Sequence, residues 1–167
     1  MNKYKLVGLM FLFSTLVSPA FAEQPVIVPI HRLSLDMATK AAQAAIAECR
    51  KQGVQVAVTI VDRGGHAQVV LRDVLAMDLT LAISRDKAYT ALSFNSSTAG
   101  LVQRLAQANS IGKIDGVIAA QGGLPISAAG NLIGGIGVSG APSGVTDEQC
   151  AQAGLNAIAA DLEMADI

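Results

Sequence analysis

Apolar residues recur at helical spacing in four stretches of this chain, which predicts four helices. The first runs from Ser34, a capping residue, to about Gln52, and Gly53 ends it. Its inward positions are Leu35, Ala38, Ala42, Ala45, Ile46 and Cys49. The other helices are predicted over Met77–Phe94, about Thr98–Asn109 and Thr146–Met164, the last with a capping box of Thr146 and Gln149.

The segments between these helices are short, rich in β-branched residues and separated by glycine turns, which is typical of antiparallel strands. Strands are predicted at Val54–Val61, His66–Arg72, Gly116–Ala120, Leu124–Ala128 and Leu132–Val138. Turns at Asp62–Gly65 and Ala129–Asn131 join two pairs of them into hairpins. The predicted order α-β-β-α-α-β-β-β-α favours an α+β fold, a single antiparallel sheet flanked by helices.

The second hairpin is unusual because Gly122–Gly140 holds seven of the 16 glycines of the chain. Glycine inside a strand often marks the close approach of a ligand or of another backbone. We therefore hypothesise that this hairpin forms the floor of a pocket, or else faces a neighbouring subunit. Residues 135–140 also match G-x-G-x-x-G, but they lie within a strand and open no helix, so dinucleotide binding is not favoured.

The first 22 residues have the pattern of a secretory signal peptide. Lys3 and Lys5 precede the apolar run Leu6–Val17, and Ala20-Phe21-Ala22 is typical of a cleavage site. Cleavage would leave 167 − 22 = 145 residues, the length of one domain spanning 23–167. Their net charge is −1 − 2 = −3, which argues against nucleic acid or a membrane surface as partner.

Candidate chemistry is sparse, and for each group a structural interpretation stands beside a functional one. Cys49 and Cys150 form either a disulfide, as an exported protein permits, or two free buried thiols. His66 is either solvated beyond its turn or a ligand-facing imidazole. Arg85 and Lys87 either hold a ligand carboxylate or belong to a charged outer helix face. His31, the other histidine, is expected to face solvent or a subunit contact.

In several segments taken together, the chain resembles the GlcG/HbpS-like haem-binding family. The resemblance covers about Leu33 to Leu162 and is quite specific in order and spacing. The segments that carry it are the alanine-rich helix beginning at Leu35, VTIVDRGGH at 58–66, SRDKAYTA at 84–91, GGLPI at 122–126 and GGIGVSG at 134–140.

This resemblance implies a profilin-like α+β fold with a five-stranded antiparallel sheet and the first and last helices side by side. That arrangement favours a Cys49–Cys150 disulfide, because Cys49 ends one helix and Cys150 begins the other. It also implies a homo-oligomer, a dimer, tetramer or octamer. A chain that is 51% hydrophobic and 15% charged agrees with buried subunit contacts.

The signal-peptide pattern predicts a periplasmic or secreted protein, and the resemblance implies that it binds haem or a related tetrapyrrole. His66 is then the candidate iron ligand, with Tyr89 and Met77 as alternatives on chemical grounds. Arg85 or Lys87 would meet the propionates, and the ring would approach the backbone at the family motifs. The motif positions expected to line the ligand are Gly122, Gly123, Pro125 and Gly137.

Two departures from the family pattern leave the iron ligand unassigned by motif. Leu71–Val74 stands where many members have an Arg-Met-Asp segment, and the first helix contains no histidine. No catalytic residue is predicted, because neither paired carboxylates nor a nucleophile–base motif is evident. Two alternatives remain open: an enzyme or enzyme accessory acting on a small carboxylic acid, and an oligomeric scaffold without ligand.

Overall fold

The computed structural model describes residues 25–107 and 113–165, and these fold into one α+β unit. The strands are β1 (Ala57–Asp62), β2 (Ala67–Arg72), β3 (Gly123–Ala128) and β4 (Asn131–Ser139). The helices are α1 (Leu35–Lys51), α2 (Leu79–Phe94), α3 (Thr98–Gln107), α4 (Gly144–Asn156) and α5 (Ala159–Glu163). The predicted signal peptide and the end of the third predicted helix lie outside the described residues.

The four described strands form one antiparallel sheet in the order β2-β1-β4-β3. Helices α1 and α4 pack on one face of the sheet, and α2 packs on the other. Strand β1 is buried along its whole length because helices cover both of its faces. In β4 the residues alternate: Ile136 and Val138 join the α1–α4 core, whereas Gly135 and Gly137 face α2.

Helices α1 and α4 lie against each other through small side chains. Ser34 caps α1 as predicted, its hydroxyl accepting a hydrogen bond from the Met37 N–H at 3.3 Å. The predicted disulfide is confirmed: Cys49 and Cys150 are bonded, with their Cα atoms 5.5 Å apart. Both cysteines are fully buried, so the bridge ties α1 to α4 from inside the core.

The predicted fifth strand is wrong: in the described part of the chain, 116–120 is irregular and the sheet has four strands. The reason is visible in its hydrogen bonds. Ile118 N–H donates to the Thr90 hydroxyl at 2.9 Å, and that hydroxyl donates to the Gly116 carbonyl at 3.4 Å. A side chain of α2 therefore satisfies backbone groups that a neighbouring strand would otherwise have paired.

The last predicted helix is real but begins earlier and is interrupted. Ser143, rather than Thr146, is the cap: its hydroxyl accepts a hydrogen bond from the Thr146 N–H at 3.1 Å. The helix ends at Asn156, and α5 resumes at Ala159. The β3–β4 turn is confirmed as a two-residue turn, with positive φ at Ala129 (+45°) and Gly130 (+79°).

Candidate functional site

The glycines of the β3–β4 hairpin face helix α2, not a pocket. A Cβ added at Gly137 would collide with the Ser84 carbonyl oxygen, and one at Gly135 would lie 2.5 Å from the Ala88 carbonyl oxygen. A Cβ at Gly123 would collide with the Lys87 carbonyl oxygen. The hypotheses of a pocket floor and of a subunit contact are therefore wrong at these positions, because the α2 backbone occupies the space.

Lys87 and Asp147 form a buried ion pair where α2, β4 and α4 meet. The Lys87 Nζ donates to Asp147 Oδ2 at 2.7 Å and to the Val138 carbonyl at 2.9 Å. The two side chains are only 4% and 5% exposed. A Cβ at Gly122 would lie 3.0 Å from Nζ, so this predicted ligand residue borders the pair. Lys87 thus binds a carboxylate as predicted, but the carboxylate is that of Asp147 in the same chain and not that of a ligand.

The carboxyl group of Asp147 is buried. Burial is the largest influence and raises the pKa of Asp147, although the hydrogen bond and charge of Lys87 act in the opposite direction. The second carboxylate oxygen accepts a hydrogen bond from the Ala141 N–H at 3.0 Å. Both oxygens are therefore used within the fold, which indicates a structural pair.

His66 lies at the opposite extreme, at the β1–β2 turn, with its side chain 80% exposed. Its Nδ1 is 3.4 Å from Asp62 Oδ1, and Arg32 Nη1 is 3.5 Å from Asp62 Oδ2. Burial opposes the ionisation of Asp62. Backbone N–H groups of His66 and Gly64 and the charge of Arg32 outweigh it, so the pKa of Asp62 is lowered. An ionised Asp62 thus stands behind the imidazole.

The remaining predicted residues lie apart from one another. The Tyr89 ring fills the space between Gly65 and Gly116: a Cβ at Gly65 would lie 2.8 Å from ring atoms. Arg85 is exposed, with Nη1 3.9 Å from Asp86 Oδ1. Pro125 borders a separate cavity of about 370 Å³ between β3 and α4. The structure does not gather the predicted ligand residues into one site.

A cleft that the sequence did not reveal lies at the turn end of the sheet. It has a volume of about 510 Å³, within the range of small-molecule sites. We call it the turn-end cleft, and its walls are the arm before α1, the β1–β2 turn and the β3–β4 turn. The residues that line it are Val28, Pro29, Ile30, His31, Arg32, Arg63, Gly64, Gly130, Asn131 and Leu132.

The cleft combines apolar walls with two guanidinium groups and an imidazole. Its relation to His66 is close, because a Cβ at Gly64 would lie 2.9 Å from His66 Nδ1. The two histidines of the chain, His31 and His66, therefore lie at one end of the sheet. Within the described residues, no three histidine, cysteine, aspartate or glutamate side chains cluster as a metal site.

A family model described as "Haem degrading protein HbpS-like" matches residues 33–156. The chain belongs to the HbpS-like family. It is 42% identical to HbpS, whose crystal structure gives a TM-score of 0.76 over 81% of this chain and 96% of that one. The crystal structure of a PduOC:heme complex is 30% identical, with a TM-score of 0.69 over 76% and 95% of the two chains.

A second kind of relative carries no functional description. A Citrobacter freundii protein, described as an uncharacterized 15.0 kDa protein in the dhaT-dhaS intergenic region, is 31% identical over 116 residues. The match covers 66% of this chain and 82% of that protein. The resemblance predicted from the sequence motifs is thus confirmed at the level of the family.

The turn-end cleft of this HbpS-like protein lies largely outside the motifs that identify the family. His31 and Arg32 belong to the arm, which precedes the matched region. Arg63 lies within the β1–β2 turn motif, and nothing in that motif marks it as a ligand residue. The available signal was a basic group in the arm and another in the β1–β2 turn, but only the tertiary fold shows that the arm and the two turns meet. Among described helices, none is long and apolar enough to cross a membrane.

Proposed function

We propose that this HbpS-like protein binds haem or a related tetrapyrrole. The proposal is supported by the family match and by the structural similarity to PduOC, a relative whose crystal structure is a complex with haem. The chemistry of the turn-end cleft agrees with such a ligand. Apolar walls suit the ring, guanidinium groups suit propionates, and imidazole is a common haem ligand.

The proposal places the protein in the periplasm or outside the cell. Its support is the signal-peptide pattern of residues 1–22 and the buried disulfide, since disulfides persist in oxidising compartments. We further propose a homo-oligomer. The exposed apolar residues of the arm and of the β2–α2 loop, among them Val26, Ile27, Val74 and Leu75, suit subunit contacts.

An imidazole is the proposed iron ligand, and the chain has two histidines. His66 is 80% exposed and is not among the residues that line the turn-end cleft, although its Nδ1 lies 3.4 Å from Asp62 Oδ1. His31 lines the cleft itself. Tyr89 is a weaker candidate because its ring is packed between two glycines.

Haemin titration of the mature protein, from Glu23 onward, tests this function. We expect a saturable shift of the Soret band at micromolar haemin, which the double variant His31→Ala/His66→Ala loses or changes in position. A matched control is Lys51→Gln, an exposed helix position paired only with Glu48 in the described chain. It is expected to titrate like the wild type.

A wild-type protein that gives no saturable shift would refute haem binding. The family description also names degradation, and the same samples test it: the Soret band is followed over time with added reductant or peroxide. Faster loss of the band with protein than with free haemin would support an enzymatic role. The alternatives of a small-acid enzyme or a ligand-free scaffold gain only if haemin does not bind.

A further inference from the structure

We infer that the turn-end cleft is the haem site of this chain, with His31 as the iron ligand and Arg63 and Arg32 as partners of the propionates. This inference rests on the proposed function and adds the location. It differs from the sequence prediction, which placed the ligand between His66, helix α2 and the glycine-rich strands.

The charges favour the cleft over the α2 face. Lys87 is neutralised inside the protein by Asp147, and Arg85 lies beside Asp86. Arg63, in contrast, has no acidic side chain within ion-pair distance among the described residues, and Arg32 meets only Asp62 at 3.5 Å. The cleft therefore has positive charge that is not balanced by acidic side chains of the described residues, as a ligand with two carboxylates requires, whereas the α2 face does not.

The apolar walls favour a large flat ligand. Val28 and Ile30 of the arm line the cleft but remain 66% and 65% exposed, and Leu132 lines it from the start of β4. Apolar side chains in this state gain stability when another apolar surface covers them. A bound tetrapyrrole would supply such an apolar surface for Val28 and Ile30.

The arm is attached to the body near its C-terminal end. The Leu33 carbonyl accepts a hydrogen bond from Gln68 Nε2 at 2.8 Å, and Arg32 approaches Asp62. In the described structure, residues 25–31 make no backbone hydrogen bonds to the rest of the chain. The arm can therefore adjust around a ligand without breaking the sheet, and it carries His31 with it.

Carboxylate recognition is tested by combining a ligand change with a protein change. Haemin and haemin dimethyl ester, which lacks the propionate charges, are titrated into wild type, Arg63→Gln and the control Arg104→Gln on α3. We expect Arg63→Gln to weaken haemin binding about tenfold, the loss of one charge-assisted contact. The ester should bind Arg63→Gln and wild type equally, and Arg104→Gln should match wild type with both ligands.

Single histidine variants test the ligand assignment. His31→Ala should move the Soret band, whereas His66→Ala, at the rim, should leave its position unchanged. A shift caused only by His66→Ala, or a haemin affinity lowered by Arg85→Gln but not by Arg63→Gln, overturns the cleft assignment while haem binding stands. Absence of binding by wild type refutes the proposed function instead. Circular dichroism checks that each exposed-site variant is folded.

Discussion

Two parts of this molecule use the same chemistry in opposite surroundings. Beneath α2, Asp147 and Lys87 meet at 2.7 Å with both side chains almost fully buried. At the turn end, Asp62 is buried, but its partners Arg32 and His66 are 57% and 80% exposed. In the first pair every charge has a partner within the fold, whereas in the second the positive groups still face solvent.

The difference separates a structural pair from groups available to a ligand. A buried pair is costly to desolvate, and breaking it strands a charge, so it holds one arrangement of the elements that supply it. An exposed imidazole or guanidinium beside a carboxylate costs little and can exchange water for a ligand. A charged residue within a family motif, such as Lys87, is therefore not evidence of binding until its burial is known.

The largest effect is expected where α2 lies directly on the glycine strand. Gly137→Ala would force a Cβ against the Ser84 carbonyl and within 2.5 Å of the Ala88 nitrogen. Backbone atoms of a packed helix cannot move aside locally, so we expect a loss of about 3 kcal/mol or more in the free energy of unfolding. Urea denaturation measures it.

A glycine elsewhere provides the control. At Gly100 in α3, an added Cβ would find its nearest neighbours at 3.5 Å, an ordinary contact. Gly100→Ala is expected to leave stability unchanged or raise it by up to about 1 kcal/mol, because alanine favours helix. If the free energies of unfolding of Gly137→Ala and Gly100→Ala differ by less than about 1 kcal/mol, the contact between α2 and the sheet is looser than described.

The buried ion pair should show a large cost for one substitution and a smaller cost for two. Lys87→Met leaves the buried Asp147 carboxylate without its cation, and we expect a loss of about 3–5 kcal/mol in the free energy of unfolding. Adding Asp147→Asn removes that charge while its amide oxygen still accepts the Ala141 N–H. The double variant should therefore regain much of the stability, as measured by urea denaturation.

This rescue distinguishes a structural pair from a ligand site. Equal losses in the single and double variants would mean that the stranded carboxylate is not the cause of the instability. A further comparison uses haemin. If the double variant is folded yet loses haemin binding, while Arg63→Gln retains it, the region beneath α2 is the ligand site and the contrast between the two regions is reversed.

The elements of this fold were largely predictable, because each has a local signature. The alanine stripe and Ser34 gave α1, and positive φ at Ala129 and Gly130 agrees with the predicted β3–β4 turn. The predicted strand at 116–120 failed because its β-branched residues suit a strand, while its hydrogen bonds go to Thr90, far away in sequence. Local pattern does not show which partner satisfies a backbone group.

The site was harder to predict than the fold for the same reason. The glycines of β4 were correctly expected to lie at a close approach, but sequence does not reveal whether a helix, a subunit or a ligand approaches. Arg63 and His31 are 32 positions apart and are joined only by the folding of the arm onto the turns. Such a cluster leaves no spacing that a motif search detects.

The smallest effect is expected at an ion pair in which one partner is buried and the other is exposed. Arg50 is 60% exposed, but its Nε and Nη2 each donate at 2.7 Å to Asp73, whose side chain is 2% exposed. These hydrogen bonds, against the opposing effect of burial, lower the pKa of Asp73. A lowered pKa in the folded state means stability that is present above the unfolded value, near 4, and lost as pH falls through the folded value.

Arg50→Gln should therefore be less stable than wild type at pH 7, and the gap should narrow as pH falls below about 4, where Asp73 becomes protonated. Urea denaturation between pH 7 and 3 measures the gap. Lys51→Gln, which removes an exposed pair with Glu48, is the control and should show little difference at any pH. If the difference in stability between Arg50→Gln and wild type does not change with pH, Arg50 stabilises the fold by packing its aliphatic stem. Burial of the carboxylate alone would then not distinguish a structural ion pair from one that is available to a ligand.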